Sequence, residues 1–412
     1  VEWGLAADGG LFVPTTWPRL AAPNDLVASP ASLAQVAVKV LAPFFADDSL
    51  RPELAGIATE AFTFSAPLVA LGDEGPGVLE LFHGPTAAFK DFGAQFLAAL
   101  LARLRGVRRE RVILVATSGD TGGAVAAAFF RRPGFRVVLL YPRGRVSPTQ
   151  ERQLTCWGDN IVSCAVRGSF DDCQRMVKQA LADPALRAAR RLSSANSINL
   201  GRLLPQVAYY AAASLTSHAR GRSPLSFIIP SGNLGNAFAC AVARAMGMPI
   251  GRIVLAHNAN RAVPDFLASG AWEPRASIAT LASAMDVGNP SNIERFHALF
   301  PSLPALRSAI SASAVEDEAI RARIRLDYQR WNRIWCPHSA VAAEVFGRLP
   351  ALVREGESWC IVATAHPAKF PEVVEPLIGQ AVEVPESLRR LSGRTAVVRE
   401  LDPTDSALAS LL

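Results

Sequence analysis

The stretch "HGPTAAFKDFG", His83 to Gly93, holds a lysine in unusual company. Lys and Arg total 42, yet only four are lysines: Lys39, Lys90, Lys178 and Lys369. Where a positive charge suffices, this chain uses arginine. Lys90 follows Phe89 and a Gly-Pro-Thr turn, in a stretch with few other charges. Burial disfavours an ammonium, lowers its pKa and frees a nucleophilic amine. A Schiff-base lysine needs that property. Lys39 and Lys178 read instead as surface residues of helices.

Two glycine-rich loops could hold an anion. "PSGNLGNA" (Pro230 to Ala237) offers Ser231, Gly232, Asn233, Leu234, Gly235 and Asn236 between an apolar strand and a helix. Open N–H groups at a helix start favour negative charge, and glycines let the backbone curl around a phosphate. The spacing is neither that of a triphosphate loop nor G-x-G-x-x-G, which argues against a nucleotide. An ordinary strand-to-helix turn is the plainer alternative. In "TSGDTGG" (Thr117 to Gly123), Ser118, Asp120 and Thr121 put two hydroxyls and a carboxylate at a helix start. One of them as an N-cap would stabilise the helix by about 1 kcal/mol. The cluster has more polar atoms than a cap uses, so a carboxylate or phosphate ligand is the second reading.

The surrounding elements explain how such loops are held. "RVILVAT", "RVVLLYP" and "NIVSCAV" are continuous apolar strands separated by helices, and the pattern restarts with "LSFIIP", "RIVLAH" and "SWCIVAT". Apolar strands alternating with helices predict parallel sheets covered on both faces. The expected fold is α/β, with two parallel-sheet domains, a cofactor cleft between them and a largely helical N-terminal segment. Its expected parts are residues 1–80 as that segment, 81–92 with 205–380 as the larger cofactor-binding domain, 93–204 as the smaller α/β domain and 381–412 as a tail. Ligands of such sheets bind beyond the carboxyl ends of the strands.

Composition excludes several classes. The chain has 412 residues, 50% of them hydrophobic and 19% charged, as in a globular protein of two or three domains. No apolar run approaches a membrane span. The formal charge of +6 comes from scattered arginines, mostly near Asp or Glu, which argues against nucleic acid and suits an anionic small molecule. None of the six cysteines has C-x-x-C spacing, so they read as reduced core thiols, with no disulfide framework and no metal site. The histidines show no metal spacing. The start, "VEWGLAADGGLFVP", lacks the pattern of a signal peptide, and a cytoplasmic protein is expected.

Taken in order, "HGPTAAFKDFGAQF", "ATSGDTGGA", "VSPTQE", "GSFDDCQ", "NSINLGRLLPQVAYY", "PSGNLGN", "AMDVGNPSNIERF", "PHSAVA" and "ATAHPAKF" closely resemble the threonine synthase family. These are pyridoxal-phosphate (PLP) enzymes of the tryptophan synthase β fold type. The resemblance covers roughly residues 4 to 376. It implies that Lys90, beside Phe89, carries PLP; that Ser231 and the loop Gly232 to Asn236, Leu234 included, hold its phosphate; and that Thr364 faces the pyridine nitrogen. It assigns Ser118, Asp120 and Thr121 to the substrate carboxylate and the cofactor 3-hydroxyl, and Ser197, Asn199 and Arg202 to the substrate phosphate. The implied reaction turns O-phospho-L-homoserine and water into L-threonine and phosphate. His83 and Lys369 each have two readings, structural or lining the substrate-phosphate pocket. "MDVGNPSN" (Met285 to Asn292) reads as a turn and helix cap near the cofactor. One departure is Cys336, where the family pattern has Asp before "PHSAV". A phospholyase yielding 2-oxobutyrate and ammonia is the nearest alternative, and a fold that kept binding but lost catalysis is another. The expected state is a monomer or weak homodimer.

Overall fold

The computed structural model describes residues 1–6, 8–20, 32–72, 75–104 and 110–412. The strands, in chain order, begin with β1 Leu68–Ala70, β2 Gly77–Glu80, β3 Arg111–Ala116, β4 Phe135–Pro142, β5 Ile161–Val166 and β6 Ser193–Ser194. They continue with β7 Leu225–Pro230, β8 Ile250–His257, β9 Ser311–Ala314, β10 Trp359–Ala363 and β11 Arg399–Leu401. The chain forms two α/β units, each built on its own sheet.

The first unit comprises Val1–Phe12, Gly84–Arg202 and Val384–Leu412. Its sheet runs β11-β5-β4-β3-β6, with every pair parallel. β3 is buried along its whole length, as the unbroken apolar run Val112–Ala116 requires, with Arg111 buried at its start. Val112, Leu114, Val138 and Leu140 pack on Cys173, Met176 and Val177 of the helix Phe170–Ala182. That helix opens with a capping box between Ser169 and Asp172.

Three placements differ from the sequence expectation. Val1–Phe12, expected within the N-terminal segment, belong to this first unit. The C-terminal residues, expected as a tail, form the edge strand β11 on β5 and bury Leu401, Leu408 and Leu412 in this core. With only three residues, β11 has no long apolar run to reveal it. Residues 84–92, expected within the larger domain, belong to this unit because they lead into the helix Lys90–Arg103, which packs on the helix Asp120–Phe129.

The second unit comprises Val13–His83 and Leu203–Glu383. Its sheet runs β1-β2-β10-β7-β8-β9, parallel except for the antiparallel β1. The helical N-terminal segment joins it through Leu33–Leu41, an amphipathic helix whose Val36, Ala37, Val40 and Leu41 are buried and which packs on the helix Val207–Ala219. Lys39 and Lys178 are exposed on their helices. All six cysteines are buried free thiols. Among the described residues, no helix is long and apolar enough to cross a membrane, and no group of three or more His, Cys, Asp or Glu could hold a metal.

Candidate active site

Lys90 is the first residue of the helix Lys90–Arg103, half-buried, with its Nζ 5.4 Å from the centre of the half-buried Phe89 ring. The turn before it is tight. Ala87 is buried at a left-handed φ of 54°, a conformation a non-glycine residue holds only when its surroundings impose it. Asp91 imposes it: its carboxylate accepts from the Thr86 N–H at 2.9 Å and the Thr86 hydroxyl at 2.7 Å. A Cβ on Gly84 would lie 2.5 Å from Asp91 Oδ2, so that position must be glycine. Gln153 braces the turn by donating to the Thr86 carbonyl at 3.1 Å.

Arg202 closes the clamp from the other side. Its guanidinium donates to the carbonyls of Ala195 and, at 3.4 Å, of Lys90 itself. It is buried, which lowers its pKa to about 10 against the opposing pull of Asp91, so it stays charged at neutral pH. Its backbone runs close to the helix: a Cβ on Gly93 would sit 2.2 Å from the Arg202 carbonyl oxygen. Arg202 is thus turned onto the backbone that holds Lys90. Asn199, also buried, is similarly occupied, donating to the carbonyls of Val1 and Ser194 and accepting from the Gly201 N–H. Both residues, expected to bind substrate phosphate, hold these backbone partners in the structure. Ser197, between them and the strand, is half-buried.

In the first unit the adjacent strands β3 and β6 end side by side. Asn196, two residues past β6, ties the two ends together, its amide pairing with the N–H and carbonyl of Ala116. The loop after β3 is held from within: Thr117 Oγ1 accepts from the N–H groups of Gly119 and Gly122. Gly119, at φ 130°, caps the helix Asp120–Phe129 without a side-chain bond, so neither Ser118 nor Asp120 is an N-cap. Asp120 is buried and accepts from Gln150 Nε2 at 3.0 Å, while Ser118 and Thr121 are half-buried.

In the second unit, the carboxyl ends of β2, β10, β7 and β8 adjoin one another across the sheet. After β7, Ser231 donates to the Ile229 carbonyl and Leu234 takes a left-handed φ of 64°, turning the chain into the helix Gly235–Ala245 without a side-chain cap. Its first N–H groups are therefore left to an external acceptor. Asn236 sharpens the case. The hydroxyls of Tyr209 and Tyr210 both fall on its Oδ1, while its buried Nδ2 has no hydrogen-bond partner among the described residues. A buried amide left unsatisfied costs about 1–3 kcal/mol, so this donor calls for an acceptor, which a phosphate oxygen would supply. The loop fits a phosphate group.

Thr364 directly follows β10, buried, its N–H donating to Ser339 Oγ at 3.1 Å. Ser339 in turn contacts Cys336, whose thiol caps the helix Pro337–Arg348 by accepting from the Ser339 N–H. Cys336 thereby fills the N-cap place that an Asp would suit. His83, after β2, is exposed and pairs with Glu80 at 2.8 Å; Arg333 holds the other Glu80 oxygen at 2.6 Å. Burial opposes ionisation of Glu80, but these two partners hold its pKa below the usual value. Lys369 is fully buried, and its charge helps, after burial and the nearer charges, to lower the pKa of His366 to about 4. Sequence reasoning missed Asp91, the tyrosine pair and the residues behind Asn233. The "YY" in an alanine-rich helix was the one available signal.

Comparison with known proteins identifies the family. The family description "Pyridoxal-phosphate dependent enzyme" matches residues 78–365, "Threonine synthase N terminus" matches residues 1–62 and "Threonine synthase, C-terminal" matches residues 339–410. The threonine synthase of Haemophilus influenzae is 40% identical, over 100% of this chain and 95% of that one. The crystal structure of threonine synthase from Escherichia coli superposes with a TM-score of 0.92 at 38% identity, covering 100% of this chain and 94% of that one. A PLP-bound threonine synthase structure from Brucella melitensis gives 0.90 at 35%, with the same coverage. The chain belongs to the threonine synthase family of pyridoxal-phosphate-dependent enzymes.

Proposed function

We propose that the enzyme converts O-phospho-L-homoserine and water into L-threonine and inorganic phosphate. The observation that carries this reading is the match to threonine synthases along the whole chain, with Lys90 intact at a helix start. In this reading Lys90 carries PLP, the Ser231 to Asn236 loop holds its phosphate, and the Thr364 hydroxyl meets the pyridine nitrogen. The unsatisfied Asn236 amide supports the phosphate assignment. Bound PLP supplies an electron sink for negative charge arising near the substrate amine.

The chain's own residues do the rest. Ser118, Thr121 and the start of Asp120–Phe129 receive the substrate carboxylate, and Asp120, oriented by Gln150, receives the cofactor hydroxyl. The Lys90 amine takes the α proton and later a β proton; after phosphate leaves, one proton is returned at the γ carbon and, once water has added at the β carbon, one at the α carbon. The γ C–O bond breaks with its electron pair going to phosphate, and water forms the new C–O bond at the β carbon. Ser197, His83 and Lys369 stand for the substrate phosphate. Asn199 and Arg202 serve Lys90 as positioning residues. The reading extends to a cytoplasmic monomer or weak homodimer; six buried free thiols support a reducing compartment.

Product analysis tests this. The PLP-loaded enzyme given O-phospho-L-homoserine is expected to release threonine and phosphate in equal amounts. Phosphate with 2-oxobutyrate and ammonia would make it a lyase of the same substrate. No phosphate at all would make the substrate wrong.

A further inference from the structure

The loop after β7 rests on a segment that the proposed reaction does not use. Gly232 lies on it so closely that a Cβ would stand 2.8 Å from Met285 Cα. Asn233 is held at both ends: its Oδ1 accepts from the Ser291 N–H at 2.6 Å, and its carbonyl accepts from Asn292 Nδ2 at 2.8 Å. Behind Asn292 lies Arg295, whose Nη1 donates to Asn292 Oδ1 at 2.5 Å. Asn292 and Arg295 are both 0% exposed. The segment is itself anchored. Buried Asn258, just past β8, donates to Asp286 Oδ1 at 2.7 Å, and Thr280 donates to both Asp286 oxygens.

Such a brace is more than packing. Burial lowers the Arg295 pKa to about 10, with Glu294 the charge that raises it, so Arg295 remains a cation at neutral pH. A buried cation is favoured where an anion lies near. A dianionic phosphate in the loop is such an anion, and the relay Arg295–Asn292–Asn233 leads to it. We propose that Arg295, acting through Asn292, is a positioning residue for the cofactor phosphate: it fixes Asn233 and sets a buried positive charge behind the loop. This rests on the reading that the loop holds the PLP phosphate.

The test compares PLP with pyridoxal, which lacks the phosphate. Full-length protein stripped of cofactor is titrated with each, as wild type, Arg295→Met and Asn292→Ala. PLP affinity is expected to fall about tenfold in both variants while pyridoxal affinity stays unchanged, as for outer partners of a ligand site. Equal losses for both ligands, or none, would overturn the proposal. Asn236→Ala separates the two readings. If it alone lowers PLP affinity selectively, the relay fails and the loop assignment stands; if no variant is selective, both fail. Should the buried substitutions prevent folding, Arg295→Lys, which keeps the charge but not the guanidinium bond to Asn292, is titrated instead: a selective loss of PLP affinity is expected, and equal losses for both ligands, or none, would overturn the proposal.

Discussion

Lys90→Ala is expected to lose threonine formation by at least about 10³-fold, because one amine serves both as the covalent anchor and as the acid–base group. The loop after β7 does not depend on that amine, so PLP should still bind, non-covalently. The scarcity of lysine makes the result easy to read. Of the other three, Lys39 and Lys178 are exposed on helices and Lys369 is fully buried. Borohydride reduction followed by peptide mass analysis should put the cofactor on the Lys90 peptide in wild type and nowhere in the variant. Retained turnover, or a labelled peptide carrying another lysine, would contradict the assignment.

Gly93→Ala is expected to destabilise the protein by about 3 kcal/mol, the upper range for overpacking a buried site. Helix propensity alone predicts the opposite sign, a gain of about 1 kcal/mol for replacing an interior glycine. The close approach of Arg202 decides the outcome. The new Cβ would meet the Arg202 carbonyl oxygen at 2.2 Å and its Nε at 3.1 Å. The carbonyl is backbone and cannot swing aside, so the helix must move. Lys90 stands one turn earlier on that helix, so activity should fall with stability. Gly393→Ala is the control, since its Cβ would meet nothing within 4 Å. Thermal melts of the two variants check this; a melting temperature for Gly93→Ala at or above wild type would contradict it.

Much of the molecule was legible because its signals are local. Continuous apolar runs announced β3, β4, β5, β7 and β10, and polar glycine-rich loops after β3 and β7 marked the strand ends where the ligands are proposed to bind. One of only four lysines in a chain that favours arginine marked Lys90 as the candidate. What escaped depends on distant residues meeting. Asp91 reads as an ordinary helix-start acid until its bonds to Thr86 are seen. Arg202 has the chemistry of a phosphate fork, and its bonds to the Ala195 and Lys90 carbonyls are seen only in the fold. Asn199 spends its amide on Val1, at the far end of the first unit in sequence. The edge strand β11 is defined by pairing with β5 rather than by its own residues. Arg295 sits in "NIERF", which looks like any charged helix turn until burial is known.

The central claim concerns which bonds change, and water labelled with oxygen-18 reads them directly. With O-phospho-L-homoserine as substrate, the label is expected in the β-hydroxyl of threonine and absent from the released phosphate. That pattern requires C–O cleavage at the γ carbon and addition of water at the β carbon. Label in the phosphate, with homoserine as the other product, would mean simple phosphoester hydrolysis and would contradict the account.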